Sequence, residues 1–383
     1  MKFKGYSDEV LLSQLGGRFS VSYLIHADEK IALEMAKAVC VEQTVEFPAA
    51  HIECDAIHSD IIGRLESFEP CEGGFRALIS YSDQCATEEF TQFFNVVFGN
   101  SSLLPGITVE HIHLSEQLLK WFPGPKYGIK GMRERLGVYD RPIAFTALKP
   151  QGLPTAALAD EAYKCALGGV DLIKDDHGLM NQTFSSYKDR VKAVCEAVRQ
   201  GNEESGHHTG YVPNLSGSFD TIMDRVHYAE DCGAAGVMLA PGLVGYDTVQ
   251  YVSTHTELPI VAHPAMAGCI LDKGSGGFAC GCALGQLPRL VGADITVFPN
   301  FGGRFSLSQA QCRSIVDMCM EPCGDMPAIF PSPAGGMTFE KIDIMKDFYG
   351  TDVSLLMGGG LFTVTPDLPG NCKKFVEILS KQC

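Results

Sequence analysis

Eight short apolar runs, rich in valine, isoleucine and alanine, recur through the second part of this chain, with stretches of helical periodicity between them. The runs fall at residues 142–148, 170–174, 210–215, 235–240, 259–263, 294–298, 327–331 and 353–357. Helix-like stretches include 158–167, 185–199, 221–232, 247–253, 308–319 and 339–349. Strands that are apolar throughout want cover on both faces. Eight of them alternating with helices predict a (β/α)8 TIM barrel. A doubly wound open sheet would need a glycine-rich dinucleotide turn after its first strand, and Lys149-Pro150-Gln151-Gly152 is not one. Residues 266–290, rich in glycine and cysteine, read as a long loop.

The earlier residues have another character. Residues 19–25 and 74–81 alternate as half-buried strands do, while 29–41 and 88–97 have helical periodicity. They predict a small α+β domain of ferredoxin-like kind with an antiparallel sheet. Pro123-Gly124-Pro125 marks a hinge or linker, so the expected division is 1–122 and 123–383.

Charge and composition exclude several functions. A formal charge of −16 argues against binding along a nucleic-acid backbone, which needs a basic footprint. No apolar run is long enough to span a bilayer. Met1-Lys2-Phe3-Lys4, followed by Gly5, Tyr6, Ser7, Asp8 and Glu9, is not a secretory signal, and a cytoplasmic protein is expected. The fifteen cysteines, an odd number, then read as reduced, buried thiols. Cys280/Cys282 and Cys319/Cys323 lack the spacing of a zinc ribbon or a redox helix.

In a TIM barrel the chemistry sits at the carboxyl ends of the strands. Polar residues fall there on one strand after another: Lys149, then Lys174, Asp176 and His177, then Asn214, His263, and Asn300 with Arg304. Gly335-Gly336 and Gly358-Gly359-Gly360 end the last two strands. The second strand is the most telling, because Gly168-Gly169-Val170-Asp171-Leu172-Ile173 runs straight into Lys174-Asp175-Asp176-His177. Side chains alternate along a strand, so Lys174 and Asp176 share a face and Asp175 points the other way, toward a helix and a basic partner. A hard divalent cation wants carboxylate oxygens, and one Asp beside a Lys is a poor site unless the lysine becomes a carbamate. His177 is a ligand or a general base; a structural ion pair is the plainer alternative. The glycine pairs let backbone N–H groups approach a phosphate, and Arg304 is placed to close over it.

Taken together, these segments resemble the RuBisCO large-subunit family over nearly the whole chain. Residues 168–177 are similar to its metal-site segment, with the carbamylated lysine at Lys174. Pro123-Gly124-Pro125-Lys126-Tyr127-Gly128-Ile129, Leu148-Lys149-Pro150, Pro213-Asn214, Ala262-His263, Ala334-Gly335-Gly336 and Gly358-Gly359-Gly360 fall in register with it. Glu42, in Val41-Glu42-Gln43-Thr44, matches the glutamate that completes a neighbouring subunit's site. The departures are as informative. His177 stands where the family has a glutamate, Gln151 where it has a second lysine, and Arg304 where it has the mobile-loop lysine. Pro264 and Ala267 replace an arginine and a histidine of the second phosphate site, and Ile295-Thr296-Val297-Phe298-Pro299 lacks the sixth-strand histidine.

The resemblance therefore implies a RuBisCO-like protein (form IV) that does not fix carbon. It implies Mg²⁺, or Mn²⁺ given the histidine, on carbamylated Lys174, Asp176 and His177, with CO₂ supplying the carbamate. It implies Lys149 as proton carrier, Asn214 and His263 on substrate hydroxyls, and Gly335, Gly336, Gly359, Gly360 and Arg304 on one phosphate. A homodimer with Glu42 reaching across is expected. Isomerisation of 5-methylthioribulose 1-phosphate is the first expectation. The rivals are decarboxylation (or transcarboxylation or hydrolysis) of a 3-oxo sugar-acid phosphate such as 3-oxo-isoapionate 4-phosphate, enolisation of a diketo-methylthiopentyl phosphate, and a degenerate barrel with a regulatory or redox role.

Overall fold

The computed structural model describes residues 16–305 and 307–381. Met1-Lys2-Phe3-Lys4 lies outside them. The strands, in chain order, begin with β1 (Arg18–Ile25), β2 (Arg64–Cys71), β3 (Gly74–Ser82) and β4 (Ile107–His113). Then come β5 (Ile143–Ala147), β6 (Leu172–Lys174), β7 (Gly210–Val212), β8 (Val237–Leu239) and β9 (Ile260–Ala262). The last are β10 (Gly277–Phe278), β11 (Ile295–Pro299), β12 (Phe330–Ala334) and β13 (Ser354–Leu356). The helices of at least eight residues are α1 (Glu29–Glu42), α2 (Phe90–Phe98), α3 (Gly128–Leu136), α4 (Thr155–Leu167) and α5 (Tyr187–Ser205). They continue with α6 (Phe219–Asp231), α7 (Tyr246–Thr254), α8 (Gln309–Met320), α9 (Ile342–Tyr349) and α10 (Leu368–Ser380).

The chain forms two compact units: residues up to Phe122 together with Cys269–Ala283, and Pro123–Gly268 together with Leu284–Cys383. In the first, the sheet order is β10-β4-β1-β3-β2. The alternation of β1 buries Phe19, Val21, Tyr23 and Ile25. Beside it, α1 buries Ala32, Ala36, Val39 and Cys40, small residues at helical spacing. The sheet is antiparallel except for β10, which runs parallel to β4 through Gly277↔Thr108 and Phe278↔Val109. Phe278 stacks on Phe94 with ring centroids 5.3 Å apart. Sequence periodicity located β1, β3, α1 and α2; β2, whose side chains are mostly exposed or half-buried, carries no clean apolar alternation.

The second unit is the eight-stranded parallel barrel, ordered β7-β6-β5-β13-β12-β11-β9-β8. An Asn214↔Met238 bridge and the Leu215 N–H to Met238 carbonyl bond (2.9 Å) link the two end strands. Each strand sends at least one side chain into a single core: Ile143, Phe145, Leu172, Val212, Met238, Val261, Ile295, Val297, Phe330 and Leu356, joined by Met132 of α3. Burial of a large apolar side chain contributes about 1.5–3 kcal/mol, so this layered interior adds substantially to the barrel's stability. The seventh strand lies at Phe330–Ala334, not at 327–331 as read from the sequence. Pro331 and Pro333 lack N–H groups, yet β12 pairs along its whole length with β11 and only at Ala334↔Leu356 with β13. The Phe330 N–H bonds toward the β11 side, so by alternation the missing donors face β13, where few bonds are made.

The fourteen described cysteines are free thiols; Cys40, Cys165, Cys280, Cys282, Cys312, Cys319 and Cys372 are buried, whereas Cys269 is exposed. Among the described residues no helix is long and apolar enough to cross a membrane.

Candidate active site

Strand parity places the site. Phe145, Leu172, Val212 and Val261 face the barrel core, so the side chains two or four residues further on face the same way at the carboxyl end. Those are Lys149, Lys174 with Asp176, Asn214 and His263.

Lys149 Nζ donates to Asp176 Oδ1 at 2.6 Å, and His177 Nδ1 lies 3.3 Å from the same oxygen. Burial alone would raise the Asp176 carboxyl; the bonds from His177 and Lys149 and the charges of Lys149 and Lys174 outweigh it and hold the group well below the usual carboxylate range. Lys174 is only 2% exposed, and its Nζ donates to the Asp175 carbonyl at 2.9 Å. Desolvation lowers its amine to about 8, against the pull of Asp176. The His263 and His177 rings stack with centroids 4.8 Å apart and 11° between planes. The Ala265 N–H donates to His263 Nδ1 at 3.1 Å, which puts the ring proton on Nε2. Burial first, then the Lys174 charge, lowers His263 to about 2 and keeps the ring neutral.

Asp175 faces the other way and is fully buried against α5, where Arg190 Nε lies 3.2 Å from both its oxygens. Asn214 is brought to the site, but both ends of its amide are engaged: Nδ2 donates to the His177 carbonyl (2.9 Å) and Oδ1 accepts from Ser216. It braces the His177 segment rather than presenting a free amide to a substrate hydroxyl. Asn300 does not join the site. It follows Phe298 on the outward parity, is buried, and meets Tyr349 OH (2.7 Å) and the Met345 sulfur (2.9 Å).

At the last two strands the backbone takes over. Gly335 and Gly336 have φ of +87° and +79°, and a Cβ on Gly336 would lie 3.1 Å from Gly303 Cα. The loop bearing Arg304 thus packs directly on this glycine pair. The exposed Arg304 guanidinium sits 4.8 Å from the centroid of the Phe305 ring, and Phe305 also approaches Gly335. Gly358 abuts the Lys149 arm, with 3.3 Å from an ideal Cβ to Lys149 Cε, and Gly359 and Gly360 open a short helix, Gly359–Phe362. In the other unit, Glu42 Oε1 accepts from Asn100 Nδ2 at 3.0 Å, and so does Glu46.

Among the described residues no three His, Cys, Asp or Glu side chains form a ready-made metal-ligand group. Asp176 and His177 supply two donors, and a third must come from Lys174. Its dry surroundings and lowered amine suit the neutral form, which alone reacts with CO₂ to give a carbamate. The donor set therefore fits a divalent cation on that condition. Sequence reasoning missed Arg190 and Asn100. Arg190 was detectable, because it lies on the buried stripe Tyr187, Val191, Val194, Val198 of α5, where a charge needs a reason.

Residues 128–366 match the model of the ribulose bisphosphate carboxylase large chain, catalytic domain. This chain belongs to that family. It is similar to the RuBisCO-like proteins within it. The crystal structure of the Rubisco-like protein from Rhodopseudomonas palustris superposes with a TM-score of 0.87 at 37% identity, over 96% of this chain and 100% of that one. The 5-methylthioribulose-1-phosphate isomerase of Rhodospirillum rubrum is 37% identical over 94% of this chain and 95% of its own length. The 2,3-diketo-5-methylthiopentyl-1-phosphate enolase of Bacillus pumilus is 30% identical over 82% and 79%.

Proposed function

We propose that this RuBisCO-like protein enolises a ketose carrying one phosphate and returns the proton to a neighbouring carbon, without fixing CO₂. The substrate that suits it best is 5-methylthioribulose 1-phosphate. The observation that carries this reading is the Lys149–Asp176 pair at 2.6 Å, standing beside both buried Lys174 and the glycine-built end of β13. A proton carrier and an anion cradle thereby share one edge of the barrel.

The chemistry follows from the side chains. A proton beside a ketone is too weakly acidic to leave without a placed base and a partner for the oxygen charge. Lys149 Nζ, held in place by Asp176 Oδ1, acts as the free amine, its own proton having gone to solvent; it takes the proton from that carbon and gives it back at the next. The neutral His263 offers Nε2–H to a substrate oxygen. His177, with Nδ1 held by Asp176, keeps Nε2 as an acceptor. Gly335, Gly336, Gly359 and Gly360, with Arg304, take the phosphate. Pro264 and Ala267 leave the far end of the substrate without a cationic partner, which suits a methylthio group. Lys174 as carbamate, Asp176 and His177 would hold Mg²⁺, or Mn²⁺ where the His177 nitrogen ligates. When bound, the ion stabilises the charge that forms on the ketone oxygen. A homodimer in which Glu42 completes the neighbour's site, in the cytoplasm, is part of the same proposal.

The experiment is a substrate panel in D₂O with Mg²⁺ and bicarbonate, followed by NMR. Deuterium entering 5-methylthioribulose 1-phosphate, with a new ketose phosphate appearing, is the expected result. CO₂ release from a 3-oxo sugar-acid phosphate, with no exchange into the ketose, would overturn it in favour of a decarboxylase. Turnover of the diketo phosphate alone would make the protein an enolase of that substrate.

A further inference from the structure

We propose that Arg190 is a positioning residue of this site, acting through a buried frame that fixes the chain on both sides of Asp176. The kinetic part of the inference rests on the enolisation proposed above; the structural part does not.

Asp175 and Arg190 are both 0% exposed. Two charges taken wholly out of water are costly, and an apolar pair of similar volume commonly serves stability as well or better. The bonds this pair makes show another use. The Asp175 oxygens accept from Arg190 Nε (3.2 Å), the Tyr211 hydroxyl (2.8 Å) and the Asn214 backbone N–H (3.0 Å). The other Arg190 donors reach past it: Nη1 to the Ser185 carbonyl at 3.0 Å, and Nη2 to the Met180 carbonyl at 2.6 Å. Those carbonyls belong to the segment that follows His177. Asn214, itself tied to Asp175, holds the His177 carbonyl with its side chain. Asp176 therefore sits between two anchored neighbours, and its carboxylate is presented to Lys149 by a backbone held on both sides.

Arginine is needed for this geometry. Its fork meets a carboxylate and two separate carbonyls at once, whereas a lysine supplies one charge at one point. A displacement of about 1 Å at a reacting group costs on the order of 10²-fold in rate, which is the scale at which such a frame matters.

The test uses the full-length protein and two variants, Arg190→Lys and Asn214→Ala. It reads thermal unfolding, kcat and KM for deuterium exchange, Mn²⁺ binding by EPR, and the crystal structure of each variant. Folded Arg190→Lys is expected to lose about 100-fold in kcat, with KM changed less than about threefold because the glycine cradle makes no bond to the frame. Mn²⁺ affinity is expected to fall about tenfold, the size of effect seen when a supporting partner of a metal ligand is removed. A folded Arg190→Lys with wild-type kcat and Mn²⁺ affinity overturns the proposal. Should Arg190→Lys fail to fold, Asn214→Ala decides, since it keeps the ion pair and removes the tie to His177 together with the bonds from Ser216; unchanged kcat and Mn²⁺ binding there overturn it equally. If the wild type exchanges no proton and binds no Mn²⁺, the proposed reaction falls, and the crystal structures still judge the frame. Asp176 is then expected to leave Lys149 in the variants, and a retained contact overturns the proposal.

Discussion

The carboxyl end of the barrel holds its two working regions by opposite means. At β6 the parts are ionisable side chains: buried Lys174 on the Asp175 carbonyl, half-buried Asp176 bonded to Lys149 and His177, and, behind them, Asp175 with Arg190. At β12 and β13 the parts are backbone, left-handed glycines after β12 and helix-opening glycines after β13, with one exposed arginine above. In the proposed function the first region keeps unfavourable burial to shape reactivity, and the second sets what fits. Under that proposal, chemistry and selectivity are then separable: Pro264 and Ala267 change what the far end of the substrate meets, while Lys149, Lys174 and Asp176 stay in place.

The largest test of that contrast is Lys174→Met. It should reduce proton exchange by about 10³-fold or more, yet make the protein more stable. The buried amine titrates near 8 instead of 10.5, so below pH 8 the folded state bears the cost of charging it. The gain in unfolding free energy, on the order of 2 kcal/mol, should hold below pH 8. It should shrink as pH rises from 8 to 10.5, where the unfolded chain alone still binds the proton. Chemical denaturation across that range checks it, and a destabilised variant would break the comparison.

Lys149→Met should lower kcat by about 10²–10³-fold with a small change in KM, measured by exchange in D₂O. Gly336→Ala should do the reverse. The new Cβ meets Gly303 in a backbone conformation that costs about 1–3 kcal/mol for a side-chain residue. KM for the phosphorylated ketose should rise about tenfold while kcat holds, and ³¹P titration should show weaker binding. Arg304→Ala, at an exposed position, should raise KM only a few-fold, with an effect that fades in high salt. A kcat loss in either of the last two variants would show that the regions are not separable.

Much of this was legible in the residues. Seven of the eight barrel strands announce themselves clearly as apolar runs, because burial on both faces leaves little choice of side chain. Parity along β6 foretold that Asp175 would turn from Asp176. Asn300 was misjudged for the same reason it could have been placed: it sits an even step from Phe298, on the outward face, where Tyr349 meets it. The start of β12 was misplaced because its prolines break the usual strand signal, and only the sparse pairing with β13 tolerates them. Asn214 looked like a substrate contact, since sequence says which way a residue points but not that its amide is already bonded.

The short strand β10 makes the small unit discontinuous, and that has a consequence for how the protein is made. On the ribosome, β1 to β4 emerge well before Gly277 and Phe278, with five barrel strands synthesised in between. Until then Thr108 and Val109 on the β4 edge lack their strand partner, and Phe94 and Phe98 lack the Phe278 ring, a state open to pairing with other nascent chains. A fragment cut at Phe122 would keep that open edge permanently, so the small unit is better excised with residues 269–283 grafted on than by a single cleavage.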